Sequence, residues 1–153
     1  MKTSALARTD LGQLDWSRAG ATLLRVALGI MFIAHSVVLK YFTFTLAGTA
    51  QYFASIGLPA SLAYVVFAAE AVGGVLLLLG LYTRWVALAL VPVLIGALWV
   101  HAGNGWVFNA PNGGWEYPAF LSIATLLAVL LGNGASDEII IEQRSATRLG
   151  AAH

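Results

Sequence analysis

The chain contains no cysteine. That removes disulfides, thiolate redox centres, and cysteine-ligated iron–sulfur clusters or haem as products of this polypeptide alone. Charge is nearly as scarce: Asp, Glu, Lys and Arg make up 10% of 153 residues, against about 25% in soluble domains. The formal net charge is only +1 and no basic stripe exists, so nucleic acid is excluded as a partner class. Between Val26 and Ser136 there are four charged side chains, Lys40, Glu70, Arg84 and Glu116. What fills the space is apolar: 59% of the residues are hydrophobic and the mean hydropathy is +0.82.

A helix crosses the hydrocarbon core with about 20 apolar residues. Four stretches approach that length, at 21–39, 60–81, 85–101 and 117–131. A soluble helical bundle would need polar faces that the last three do not have. The expected fold class is therefore all-α, a polytopic four-transmembrane-helix bundle. It comprises a polar N-terminal segment at 1–18, a membrane domain at 19–132 and a tail at 133–153. The first apolar run is too long, and too interrupted by Arg25, for a cleaved signal, and reads as a retained span. Lys2, Arg8, Arg18 and Arg25 precede or open that span, Arg84 sits in the turn after the second, and Arg144 and Arg148 follow the fourth. The opposite loops carry only Lys40. By the positive-inside rule both termini are expected in the cytoplasm, and the bilayer is the first partner.

The two loops on the other side are aromatic. Tyr41, Phe42, Phe44, Tyr52 and Phe53 lie in the first, where 49–56 predicts a short interfacial helix ended by Gly57 and Pro59. Trp106, Phe108 and Trp115 lie in the second among glycines and asparagines, an irregular loop suited to an aromatic belt or a lid over a pocket. Pro92 predicts a kink in the third span. Ala69, Gly73, Gly74 and Gly80 predict close helix approach in the second. Glu70 and Gly74 are four apart and share a helix face, so the carboxylate is expected to point at a packed neighbour.

Depth follows from about 1.5 Å of rise per residue. Arg25 falls in the inner quarter of span one and His35 in its outer quarter, while Glu70 lies near the midplane of span two. Arg25 is within reach of Glu70, which predicts a buried pair between them. A carboxylate at midplane is a functional-site hypothesis by default. His35, Lys40, His101, Glu116 and Tyr117 gather toward the outer face. The candidates for catalysis are His35, Glu70, His101 and Glu116. Those for binding a substrate are Arg25, His35, Lys40, Trp106, Trp115, Glu116 and Tyr117. No local ligand spacing such as His-x-x-x-His supports a metal. Haem held by His35 and His101 is disfavoured, because the two differ in depth by most of a helical turn or more.

The order of these motifs resembles the DoxX family of small four-helix membrane proteins. Leu24-Arg25, Leu28-Gly29, Phe32, His35 and Lys40 stand in the first span. Glu70, Gly73-Gly74, Gly80-Leu81 and Thr83-Arg84 follow. The third loop adds His101, Gly105-Trp106, Phe108 and the run Asn112-Gly113-Gly114-Trp115-Glu116-Tyr117-Pro118. The resemblance covers roughly 23–131, and Ser36 stands where the family pattern leads one to expect glycine. It implies an inner-membrane protein with relatives in quinone-reducing and other membrane oxidoreductase complexes.

Three functional readings stand side by side. One is a redox-linked subunit with a quinone-type site in the outer half of the bundle, where quinone is the implied cofactor and electrons come from a membrane or soluble redox partner. The second is a non-catalytic anchor or scaffold that recruits soluble partners. The third is a small transporter assembled as a homo-oligomer.

Overall fold

The structure is a computed structural model that describes residues 16–133. Residues 1–15 of the expected polar segment and 134–153 of the expected tail lie outside the described residues. Helix α1 runs from Trp16 to Ile33 and continues without a break as a π-helical segment, Ala34–Thr43. Helices α2 (Leu46–Ser55), α3 (Leu62–Leu79), α4 (Thr83–His101) and α5 (Glu116–Leu131) follow, with a short 3₁₀ turn at Ala102–Asn104. No strand occurs among the described residues.

The punctuation is local. Gly57 takes φ +82° ahead of Pro59 and separates α2 from α3. Gly80, at φ 70°, closes α3 in the left-handed conformation, and its N–H and that of Leu81 return to carbonyls of the last turn. Thr45 caps α2, its hydroxyl oxygen accepting from Gly48 N at 3.0 Å. This short helix occupies the stretch read from sequence as helical at 49–56.

Three helical stretches, Trp16–Thr43, Leu62–Leu79 and Thr83–Asn104, are long and apolar enough to cross a membrane. At 18 residues α3 is about 27 Å long, close to a hydrocarbon core of about 30 Å. Helix α5 is shorter, at 16 residues. The four long helices close a ring: α1 packs on α3, α3 on α4, α4 on α5, and α5 returns to α1. Helix α2 lies against α3 and the π segment.

Inside the ring, Leu28 and Phe32 of α1, Leu77 of α3, Ala87, Leu90 and Leu94 of α4, and Leu121, Ala124 and Ala128 of α5 form one apolar core. The outside is equally apolar. Leu23, Ile30, Val65, Val72, Leu88, Ile95, Phe120 and Leu130 are all exposed, a surface that water would not tolerate and lipid tails do.

Two glycines set the tightest crossing. A β-carbon on Gly29 would meet Gly74 O at 2.9 Å, and one on Gly74 would meet Gly29 O at 3.0 Å. Helices α1 and α3 therefore touch backbone to backbone, as small residues permit in membranes. At the far end of the ring, Thr83 N donates to Asn133 Oδ1 at 3.3 Å. The Arg84 guanidinium lies against Gly132, just past the C-terminus of α5, where a cation suits the helix dipole.

Candidate functional site

The π-helical winding of Ala34–Thr43 shapes the site. Its signature is the backbone bond spaced by five residues, as in Phe44 N to Leu39 O at 2.8 Å. In an α-helix, positions five apart diverge by roughly 140° around the axis. Wider winding brings His35 and Lys40 to the same side, and both line one cavity. Ser36, fully buried where the winding changes, donates from Oγ to Phe32 O at 2.8 Å. Just beyond the segment stands Thr45, whose φ of 61° and ψ of 152° are strained for a residue with a β-carbon.

Glu70 is buried in the middle of α3 and pairs with Lys40, Nζ to Oε2 at 2.5 Å. This corrects the sequence expectation, which joined Glu70 to Arg25. The long lysine stem carries its ammonium inward from the end of the first helix, a reach that counting rise per residue from Cα positions does not anticipate. Arg25 has a different task. Its Nη1 donates to Leu77 O and, at 2.8 Å, to Leu78 O. Those carbonyls belong to the last turn of α3, where the regular helical bonding runs out and Leu77 O receives only the capping N–H of Gly80. A buried cation there both supplies donors and complements the dipole.

The cavity next to the Lys40–Glu70 pair has a volume of about 170 Å³. Phe32, His35 and Lys40 reach it from the first helix and Glu70 from α3. Val93, Leu94, Ala97 and His101 come from α4, and Tyr117, Pro118 and Leu121 from α5. Every member of the ring contributes. Tyr117 meets His35 edge-on, ring centroids 5.5 Å apart, and its hydroxyl is buried without a hydrogen-bond partner. His101 Nδ1 lies 2.9 Å from Gly113 O and 3.1 Å from Asn112 O. Carbonyls only accept, so Nδ1 carries a proton. Asn104 Nδ2 donates to the same two carbonyls, at 2.9 Å and 3.1 Å, and locks the loop to the end of α4.

Five of the residues singled out from sequence thus converge on one space: His35, Lys40, Glu70, His101 and Tyr117. Four do not line it. Arg25 caps α3. Trp106 and Trp115 pack edge-to-face on each other, centroids 4.4 Å apart. Glu116 Oε1 accepts from Phe108 N at 2.9 Å, while its own N–H and that of Trp115 return to Trp106 O and Gly105 O. These three staple the loop before α5. The apolar wall of Phe32, Val93, Leu94, Ala97 and Leu121 was not singled out in advance. On α4 its signal was present in the spacing, because Val93, Leu94, Ala97 and His101 recur as one helical face. Nothing in the residue pattern announces the π winding.

A ring of apolar helices around a buried cation–carboxylate pair defines a class, a multi-pass helical membrane protein with a cavity between its helices. The chain belongs to the DoxX family, whose match covers residues 20–103. A protein of Bacillus subtilis (strain 168), named "Putative oxidoreductase CatD", is 48% identical over 79 residues. The matched stretch is 52% of this chain and 57% of that protein, so the chain spans little more than half the length of its relative. No solved structure matches.

Proposed function

We propose that the chain is a subunit of a redox complex in the inner membrane, that its cavity binds the head group of a quinone, and that electrons arrive from a membrane or soluble partner. The observation that carries this reading is the convergence of Lys40, His35, His101, Tyr117 and Glu70 on a space otherwise walled by apolar side chains. A few polar groups inside an apolar pocket are what small lipophilic ligands require. Quinone oxygens accept hydrogen bonds as carbonyls and donate them as hydroxyls. Lys40 and Tyr117 are donors, and Glu70 is an acceptor. The charges of Lys40 and Glu70 cancel, which favours an uncharged ligand. The name of the Bacillus relative adds oxidoreductase chemistry to the same reading.

In this reading α5 is the fourth crossing, since it packs along α4 and carries the same apolar surface. Both termini are cytoplasmic, because no Lys or Arg lies between Tyr41 and Thr83 or between Ala102 and Trp115. Reporter fusions after Gln51 and Asn109 should be active outside and one after His153 inside; an external C-terminus would refute the topology.

The ligand is tested by mass spectrometry of protein purified into nanodiscs from native membranes. Wild type is expected to retain quinone, Tyr117→Phe, which removes only a buried unpartnered hydroxyl, to lose most of it, and Arg84→Gln, at the opposite end of the bundle, to keep it. If wild type retains none above the lipid background, the anchor or scaffold reading replaces this one.

A further inference from the structure

The walls of the cavity say which quinones fit. We infer that the site selects a single-ring, benzoquinone-type head group and excludes fused two-ring, naphthoquinone-type heads, an inference that rests on the quinone reading above. The volume is about 170 Å³, and an apolar cavity of about 150 Å³ takes one benzene ring. One ring with two oxygens and small alkyl substituents fills that volume, and a second fused ring turned inward meets Phe32, Leu94 and Leu121.

The wall atoms are not free to move. Phe32, Leu94 and Leu121 are 1%, 4% and 5% exposed, and all three belong to the bundle core as well as to the cavity. Interiors packed at this density yield little to an oversized guest. The polar groups do not discriminate, because both head groups carry the same pair of para oxygens; the selection rests on the apolar wall. Leu94 and Leu121 then act as specificity-determining residues, through the room they deny to a second ring.

The probes are 2,3-dimethyl-1,4-benzoquinone and 2,3-dimethyl-1,4-naphthoquinone, which share the same quinone edge and differ by the fused ring. Binding is read by tryptophan-fluorescence quenching of the full chain in nanodiscs, with empty nanodiscs as the partition control. Wild type should bind the one-ring compound at least about tenfold more tightly than the two-ring compound. Leu121→Ala should tighten the two-ring compound and bring the ratio close to unity. Leu94→Ala is the second variant, removing wall volume from a different helix should the first fail to assemble. If the two-ring compound binds wild type as well as the one-ring compound, and Tyr117→Phe weakens both, the quinone reading survives and the size selection is wrong. Size selection by these walls is equally refuted if neither enlargement changes the ratio. If neither compound binds above the control, the quinone reading itself falls, and the inference with it.

Discussion

Replacing Glu70 by glutamine should destabilise the folded bundle by about 3–5 kcal/mol, the cost of stranding one member of a buried ion pair. Glu70 is 5% exposed, and the Lys40 ammonium sits 2.5 Å from its carboxylate inside a ring of apolar helices. Glutamine keeps the shape of the side chain and removes the charge, so Lys40 is left as an uncompensated cation next to the core. Lys40→Met should be similarly damaging, because it leaves a carboxylate in the same surroundings. The double variant should be less damaged than the sum of the two, since neither member of the pair is then left charged without the other; neutral replacement of a whole buried pair is often tolerated. Arg25→Gln serves as the comparison. Arg25 touches neither Lys40 nor Glu70 but the carbonyls of Leu77 and Leu78, so its loss should add to that of Glu70→Gln within about 0.5 kcal/mol. Reversible unfolding of the detergent-solubilised variants measures all of these. Coupling of Glu70 to Arg25 instead of Lys40 would overturn the pairing.

The contrast between these two cations shows how far the residues could be read in advance. Scarcity of charge made every intramembrane polar residue conspicuous, and the apolar runs located the long helices. The convergence of His35, Lys40, His101 and Tyr117 on one end of the bundle followed from helix direction and rise alone. The partner of Glu70 did not. Which cation reaches a buried carboxylate depends on side-chain reach and on winding, and the π segment that aims Lys40 beside His35 has no marker in the local composition. Arg25 was misjudged for a related reason. Counting charges looks for a carboxylate, whereas the end of α3 offers carbonyl oxygens that no sequence motif displays. Glu116, Trp106 and Trp115 were grouped with the site because depth and the loop's position put them at the outer face, whereas in the structure they hold the loop together.

Gly74→Leu is expected to be the most disruptive apolar substitution in the bundle. A β-carbon at this position would lie 2.8 Å from Ile33 Cγ1, 3.0 Å from Gly29 O and 3.1 Å from Ile33 N. Two of those atoms are backbone of α1 and have no rotamer to escape into, so α1 and α3 must separate. Overpacking typically costs about 1–3 kcal/mol, and here separation also acts on function, because Gly74 lies one turn from Glu70 on the same helix face. Moving α1 outward draws Lys40 away from its carboxylate. Gly73→Ala should be milder, since its nearest neighbour, Leu90 Cδ1 at 2.9 Å, is the end of a flexible side chain. Gly96→Ala supplies the opposite sign: nothing lies within 4 Å of its β-carbon position in α4, so the helix should gain about 0.5–1 kcal/mol from the lower backbone entropy of alanine. Thermal unfolding of the three variants should therefore rank Gly96→Ala above wild type, Gly73→Ala modestly below it and Gly74→Leu far below. If Gly74→Leu melted with wild type, the close α1–α3 crossing would be wrong, and so would the geometry that holds Lys40 against Glu70.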